Sequence, residues 1–149
     1  VGLQVFVWHY DDGEQIHEGH VLNPALTTSG RRQNRWFGTP DDEGCLSIPG
    51  ERAPLARFEQ ATLRGSTLEG ESIEIFAQGW LARIFQHEFD HLQGTLYRDR
   101  LRPRDRRDID AAIIDAGWGV PGHSWVPGPH NRESDFVDDE LEHPTSEAQ

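Results

Sequence analysis

The chain of 149 residues contains no methionine, no lysine and a single cysteine. A translated protein starts with methionine, whereas this chain starts with Val1 inside an apolar run, so we expect its natural N-terminus to be missing. The lone Cys45 excludes an internal disulfide and fits a reducing compartment. Neither a membrane span of roughly 18 apolar residues nor a secretory signal pattern is present in the sequence. We therefore predict a cytoplasmic protein with no membrane contact.

Basic charge is also scarce, because 14 arginines oppose 26 acidic residues and give a net charge of -12. This balance argues against general nucleic-acid affinity, and we predict no specific DNA binding. The length suits one domain with one core. Seven of the acids lie within residues 133–149, which contain no arginine. We expect residues 131–149 to form an acidic, disordered tail.

Apolar periodicity predicts strands in the first half of the chain and helices after them. A helix is expected over residues 79–94, ending at Gly94, and a second one after Pro103. Residues 28–44 are polar and rich in turn formers, which favours a loop. We therefore predict an α+β fold, with antiparallel strands packed around a central helix, then a C-terminal helix and an irregular acidic tail. Strands are predicted at residues 3–10, 21–26, 57–64 and 71–76, the last two as a hairpin.

The first predicted helix carries QHEFDH at residues 86–91, which is an HExxH pattern. His87 and His91 are one helical turn apart and can bind one ion together, while Glu88 can reach a water on that ion. Burying two imidazoles and a carboxylate without partners would be costly, and a cation resolves all three groups at once. The pattern therefore predicts a metal site.

An HExxH pattern supplies two protein ligands, whereas catalytic sites of this kind usually have three. A continuation to HExxHxxGxxH fails because Tyr97 stands where the third histidine should be. A downstream glutamate does not occur before Glu133, which lies in the polar tail. We therefore favour Cys45, the only thiol. One thiolate with two imidazoles suits Fe(II), Zn, Co or Ni, and it leaves a fourth position for water.

EGCLS at residues 43–47 together with QHEFDHLQG at residues 86–94 resembles the peptide deformylase family. The resemblance implies a peptide deformylase-like catalytic domain over residues 1–130. It implies a metal-dependent hydrolase that removes the N-formyl group from the N-terminal methionine of newly synthesised proteins and releases formate. The implied substrates are formyl-methionyl nascent peptides, and the implied cofactor is one divalent metal ion, with Fe(II) favoured and Zn, Ni or Co as alternatives.

The resemblance also implies roles for residues that match the family motifs. Cys45, His87 and His91 match the metal ligands. Glu88 matches the general acid and base, and the backbone N–H of Leu46 matches a donor to the developing oxyanion.

Further residues match positions around the substrate. Gly44 matches a backbone position that contacts the peptide. Trp80 and Ile84, with Arg83 between them, match the helix face that lines the methionine pocket. In addition, Ile48 and Arg52 are expected to border the peptide path.

The family has a third motif, similar to GLAAxQ, whose glutamine side chain also donates to the oxyanion. It normally lies just before a stretch like VGLQVFVW, with which this chain begins. Loss of one oxyanion donor costs roughly 10²–10³ in turnover, so we expect weak activity from a chain without this motif.

Two other functions remain open from the residues. One is a zinc endopeptidase of the HExxH type with a different third ligand. The other is a non-catalytic metal-binding paralogue that lacks the first motif, although structural zinc usually takes four protein ligands. RPRDRR at residues 102–107 offers a contact with the ribosome, but a solvated helix start balanced by acids is the favoured interpretation. Five other histidines are interpreted as surface or loop residues: His9, His17, His20, His123 and His130.

Overall fold

The computed structural model describes residues 2–32, 40–118 and 120. The α+β class with antiparallel sheets and two helices is confirmed for these residues. The strands are β1 (Val5–Asp11), β2 (Ile16–Arg32), β3 (Asp42–Cys45), β4 (Ile48–Pro54), β5 (Phe58–Ser66) and β6 (Ser72–Gln78). The helices are α1 (Gly79–Leu92), a short 3-10 helix (Tyr97–Arg100) and α2 (Pro103–Asp115).

The larger sheet has four antiparallel strands in the order β1-β2-β5-β6. Successive side chains of a strand point to opposite faces, and β1 follows this rule because Phe6 and Trp8 are buried while Val5 and Val7 are exposed. β5 and β6 form the hairpin that the sequence predicts, with Leu63 opposite Ile75. α1 packs on the buried face of this sheet through Phe85 and its apolar neighbours.

The smaller sheet pairs β3 with β4, and the sequence did not predict it. The loop expected over residues 28–44 is wrong where the chain is described, because β2 continues to Arg32 and β3 begins at Asp42. The second half of β2 is polar and shows no apolar alternation. Pairing with β5, for example Thr28 with Ala61, supplies its hydrogen bonds instead.

The C-terminal end of α1 is fixed by a glycine, as expected. Gly94 has a φ of 70°, in the left-handed region that glycine adopts without strain. Its N–H donates to the carbonyl of His91 at 3.0 Å, and the N–H of Thr95 donates to the carbonyl of Asp90 at 2.9 Å. This pair of hydrogen bonds is a Schellman motif, which ends the helix directly after the QHEFDH segment.

Two separate clusters of buried apolar side chains hold the fold together. The first core lies between the large sheet and α1, and the second core joins the β3–β4 sheet to the 3-10 helix and α2. The first core comprises Phe6, Trp8, Val21, Ala61, Leu63, Ala77, Ala82 and Phe85. The second core comprises Ile48, Ala53, Leu55, Tyr97, Leu101 and Ile109.

In the part of the chain that the structure describes, neither helix has the length and apolar content that crossing a membrane requires. The predicted acidic tail, residues 131–149, lies outside the described residues, as do His123 and His130. The other spare histidines lie on β1 and β2, where His9 pairs with Glu18 and His17 with Asp12.

Replacing Leu63 by alanine should destabilise the protein by about 2–5 kcal/mol, because Leu63 is fully buried in the first core and its removal leaves a cavity. The free energy of unfolding from urea titrations measures this change. Leu68→Ala is the matched control, since Leu68 is 71% exposed and should lose less than about 0.5 kcal/mol. Equal losses for the two variants would contradict this description of the core.

Candidate metal centre

The structure brings the three predicted ligand residues together from two different elements. Cys45 ends β3, whereas His87 and His91 lie on α1. The Sγ atom of Cys45 is 3.2 Å from Nε2 of His91, and this nitrogen is 3.1 Å from Nε2 of His87. All three candidate ligand atoms lie within 4.8 Å of one another. One ion can therefore contact all three residues.

A tight turn between β3 and β4 sets the position of the thiol. Cys45 pairs with Ile48, so only Leu46 and Ser47 connect the two strands. The N–H of Ser47 donates to Sγ of Cys45 at 3.4 Å, which supplies a hydrogen bond to the sulfur from its own turn. A register shift between Gly44 and Cys45 turns this end of the strand.

The donor set and its spacing fit a small divalent cation. Ligand atoms around a tetrahedral ion with bonds of about 2.0–2.3 Å are separated by roughly 3.3–3.6 Å. The distances from Nε2 of His91 to the other two ligand atoms, 3.2 and 3.1 Å, are close to this range. One sulfur with two imidazole nitrogens suits Fe(II), Zn, Co or Ni and does not suit Mg or Ca. The residues present therefore fit a resident metal ion, and three ligands leave one position open.

The carboxylate of Glu43 orients one of the imidazoles. Nδ1 of His87 is 2.8 Å from Oε1 of Glu43, and this contact directs Nε2 toward Cys45 and His91. Glu43 is 5% exposed and lies on β3, two residues before the thiol. A carboxylate behind a ligating histidine fixes the ring orientation and raises its basicity.

Glu43 belongs to a buried ion network that continues along α1. Arg57 donates to both Glu43 oxygens at 3.1 and 2.6 Å, and Arg83 donates to Oε2 at 2.8 Å. Arg57 also donates to Asp90 at 2.7 Å, and Asp90 accepts two further hydrogen bonds from Arg100. No buried side-chain polar atom is left without a partner among the described residues.

The electrostatics of the cluster favour the charged forms of Glu43, His87 and Cys45, whereas burial and the nearby His87 lower the pKa of His91. Burial opposes the charge of Glu43, but hydrogen bonds from His87 and Arg57 outweigh it and lower the pKa of this carboxyl to about 2. Burial alone would lower the pKa of His87, yet Cys45 and Glu43 raise it to about 9. Burial raises the pKa of Cys45, but His87 and the Ser47 N–H lower it by more, so the net shift is downward. The thiolate is therefore favoured next to a positive charge, which a metal ion can supply in place of a proton.

The three candidate ligands face a cleft of about 420 Å³. Glu88, Leu46 and Gly44 also line this cleft, and so do Trp80 and Ile84. The predicted ligands, the predicted acid–base residue and the predicted pocket residues are therefore brought to one cavity. Arg52 lines it as well, whereas Ile48 does not, because its side chain is buried in the second core.

Arg83 lines the cleft, but its charged end does not extend into solvent. The residue is 4% exposed, and its guanidinium is held by Glu43 and by Asp41 at 3.4 Å. Its guanidinium carbon also lies 5.4 Å from the ring centroid of Trp80, a cation–π arrangement. In this wall of the cleft, the Arg83 guanidinium therefore lies over the Trp80 ring.

Sequence reasoning assigned no role to Glu43, Arg57 or Asp90. Glu43 and Asp90 both lie inside the EGCLS and QHEFDHLQG motifs, but Glu43 is 44 residues from His87, so the sequence alone does not show that the two side chains are partners. Arg57 carries no signal either, because nothing in the sequence near it distinguishes it from a solvated arginine.

An open three-ligand centre on an α+β scaffold defines a candidate mononuclear metalloprotein. The family model for polypeptide deformylase matches residues 1–107. The chain belongs to the peptide deformylase family.

Individual relatives agree with this assignment. Peptide deformylase of Tropheryma whipplei (strain Twist) is 43% identical over 138 residues, which cover 85% of this chain and 60% of the relative. The enzyme of Mycobacterium marinum (strain ATCC BAA-535 / M) is 45% identical over 85% of this chain and 66% of its own length. A plant peptide deformylase crystal structure superposes with a TM-score of 0.65 at 31% identity, over 75% of this chain and 59% of that chain. The chain thus spans about three fifths of the length of the Tropheryma whipplei protein and of the plant protein.

Replacing Glu43 by glutamine should weaken metal affinity by about 10- to 100-fold, because the imidazole of His87 loses its orienting carboxylate. Competition with a chromophoric chelator measures the dissociation constant, and circular dichroism checks that the variant is folded. Glu74→Gln is the control, since Glu74 is an exposed partner of Arg64 on the large sheet. An unchanged dissociation constant for folded Glu43→Gln would show that the carboxylate does not support the centre.

Proposed function

We propose that the protein is a metal-dependent hydrolase that removes the N-formyl group from the N-terminal methionine of newly synthesised proteins and releases formate. The observation that carries this proposal is the convergence of Cys45, His87 and His91 on one side of a cleft that also contains Glu88. Family membership supports the same chemistry. The relatives are named peptide deformylases, and this activity is proposed here for the present chain.

Cys45, His87 and His91 would hold the metal ion, with Fe(II) favoured and Zn, Ni or Co as alternatives. When bound, such an ion acts as a Lewis acid that polarises a carbonyl and lowers the pKa of water. Glu88 accepts a proton from the attacking water and then donates it to the leaving nitrogen. The backbone N–H of Leu46 donates a hydrogen bond to the oxygen of the formyl group as negative charge develops there.

The remaining cleft residues are proposed to bind the peptide. Trp80 and Ile84 line the pocket for the methionine side chain, and the cation–π contact with Arg83 keeps the Trp80 ring in one orientation. Gly44 offers its backbone to the peptide. A Cβ at this position would lie 3.1 Å from the carbonyl oxygen of Glu51, so glycine allows β3 and β4 to approach closely beside the cleft.

The proposed setting is the cytoplasm, with formyl-methionyl nascent peptides as substrates and no DNA or membrane partner. The catalytic domain is proposed to cover residues 1–130, followed by an acidic tail at residues 131–149. A contact between residues 102–107 and the ribosome is the less favoured proposal, because Arg102 and Arg106 each have an acidic partner nearby in the sequence.

Replacing Glu88 by glutamine should lower the rate of formate release by about 10²- to 10⁴-fold while leaving metal content unchanged, because the amide cannot transfer the proton. Formate release from formyl-Met-Ala-Ser by the Fe(II)-loaded protein measures the rate, with metal content determined in parallel. Glu14→Gln, in the exposed turn between β1 and β2, is the control. The absence of formate release from the metal-loaded parent protein would remove this proposal.

The alternative of an HExxH endopeptidase requires a third ligand other than Cys45. Replacing Cys45 by serine should therefore remove both tight metal binding and formate release if the proposal holds, because the soft thiolate is lost. Metal content and cleavage of an internally quenched peptide are measured together. A variant that retains its metal and cuts internal peptide bonds would favour the endopeptidase.

A structural zinc site is not supported by the ligand count. Within residues 2–32, 40–118 and 120, the group of candidate ligands has three members, whereas structural zinc usually takes four.

A further inference from the structure

The metal centre lies at the junction of the two hydrophobic cores. Cys45 packs against the second core, whereas α1, which carries both histidines, contributes Ala82 and Phe85 to the first core. No buried side chain belongs to both clusters among the described residues. The distance between the sulfur and the imidazoles therefore depends on how the two cores are joined.

Arg57 spans this junction. It lies in the short connection between β4 and β5, and it is 5% exposed. Through Nε and Nη2 it binds both oxygens of Glu43 on the strand of Cys45, and through Nη1 it binds Asp90 on the helix of the histidines. One planar guanidinium thus connects the two elements that supply the ligands.

The positions of the two carboxylates along the chain make this connection specific. Glu43 is two residues before Cys45, and Asp90 is immediately before His91. Glu43 in turn contacts Nδ1 of His87 at 2.8 Å. A displacement of either carboxylate relative to Arg57 would therefore move a metal ligand, although Arg57 itself is absent from the residues that line the cleft.

We propose that Arg57 is a positioning residue of the metal centre, which sets the separation between the Cys45 thiolate and the histidine pair by clamping Glu43 and Asp90 together. This inference rests on the metal site of the proposed function and not on the deformylation reaction. Arginine is required at this position because its fork binds two carboxylates at once, which the point charge of lysine cannot do with the same geometry.

A purely structural salt bridge would give a different result. If Arg57 only stabilised the fold, a folded variant would bind metal with the same affinity and the same coordination. If Arg57 sets the ligand geometry, folded variants bind metal more weakly. The bond between the metal and the Cys45 sulfur is affected, because Cys45 packs against the second core whereas the helix of the histidines packs in the first. Cobalt(II) distinguishes these outcomes, since its thiolate charge-transfer absorption reports the bond to sulfur separately from its ligand-field bands.

The test compares Arg57→Lys and Arg57→Met with the parent protein, each titrated with Co(II) under anaerobic conditions. We expect affinity to fall by about 10-fold for lysine and by about 100-fold for methionine, with a weaker charge-transfer band in both. Arg64→Met is the matched control, because Arg64 lies on β5 in an exposed pair with Glu74. Circular dichroism of every variant reports whether it is folded.

Each outcome decides the question. Folded Arg57 variants with parental affinity and spectrum would overturn the proposal. Failure of both variants to fold, while Arg64→Met folds, would also overturn it in favour of a structural role. Co(II) binding is measured without formyl peptide, so a parent protein that binds Co(II) and releases no formate would refute the proposed function while leaving the inference about Arg57 intact.

Discussion

The rest of the centre depends on the hydrogen bonds of the buried Glu43 carboxylate. Its two oxygens receive hydrogen bonds from Arg57 and Arg83 and contact the ring of His87, all in a position that is almost closed to water. Burying a carboxylate costs several kcal/mol unless its partners are well placed, and here the partners occupy both oxygens. β3 and α1 are therefore held where the hydrogen bonds of this one carboxylate are satisfied. The same two elements carry the candidate ligands.

Charge balance explains how such a network is tolerated inside a small protein. Glu43 and Asp90 face Arg57 and Arg83, and Arg100 approaches from the partly exposed side. Buried ion pairs of this kind contribute little net stability compared with apolar side chains of similar volume. Their contribution is geometric, because fixed charges define the spacing of strands and helices more sharply than apolar contacts do.

The sequence predicted the parts of the site that have local signatures. The spacing of His87 and His91 on a helix, and the position of Cys45 in EGCLS, both follow from short-range patterns, and the structure places all three side chains in one cleft. Neither β4 nor the role of Arg57 could be predicted. The strand Ile48–Pro54 contains glycine and two prolines and is stabilised by pairing with β3, while Arg57 is buried because partners distant in sequence surround it.

The open edge of β3 has a consequence for recognition. Within the described residues this strand pairs only with β4, and Gly44 at its centre lines the cleft. A polypeptide that lies along such an edge is read through amide and carbonyl groups that every amino acid carries. For the proposed peptide substrates, selectivity then lies in the proposed methionine pocket alone, and the residues beyond it can vary. The proposed role would use such an edge to treat many different chain ends as equivalent.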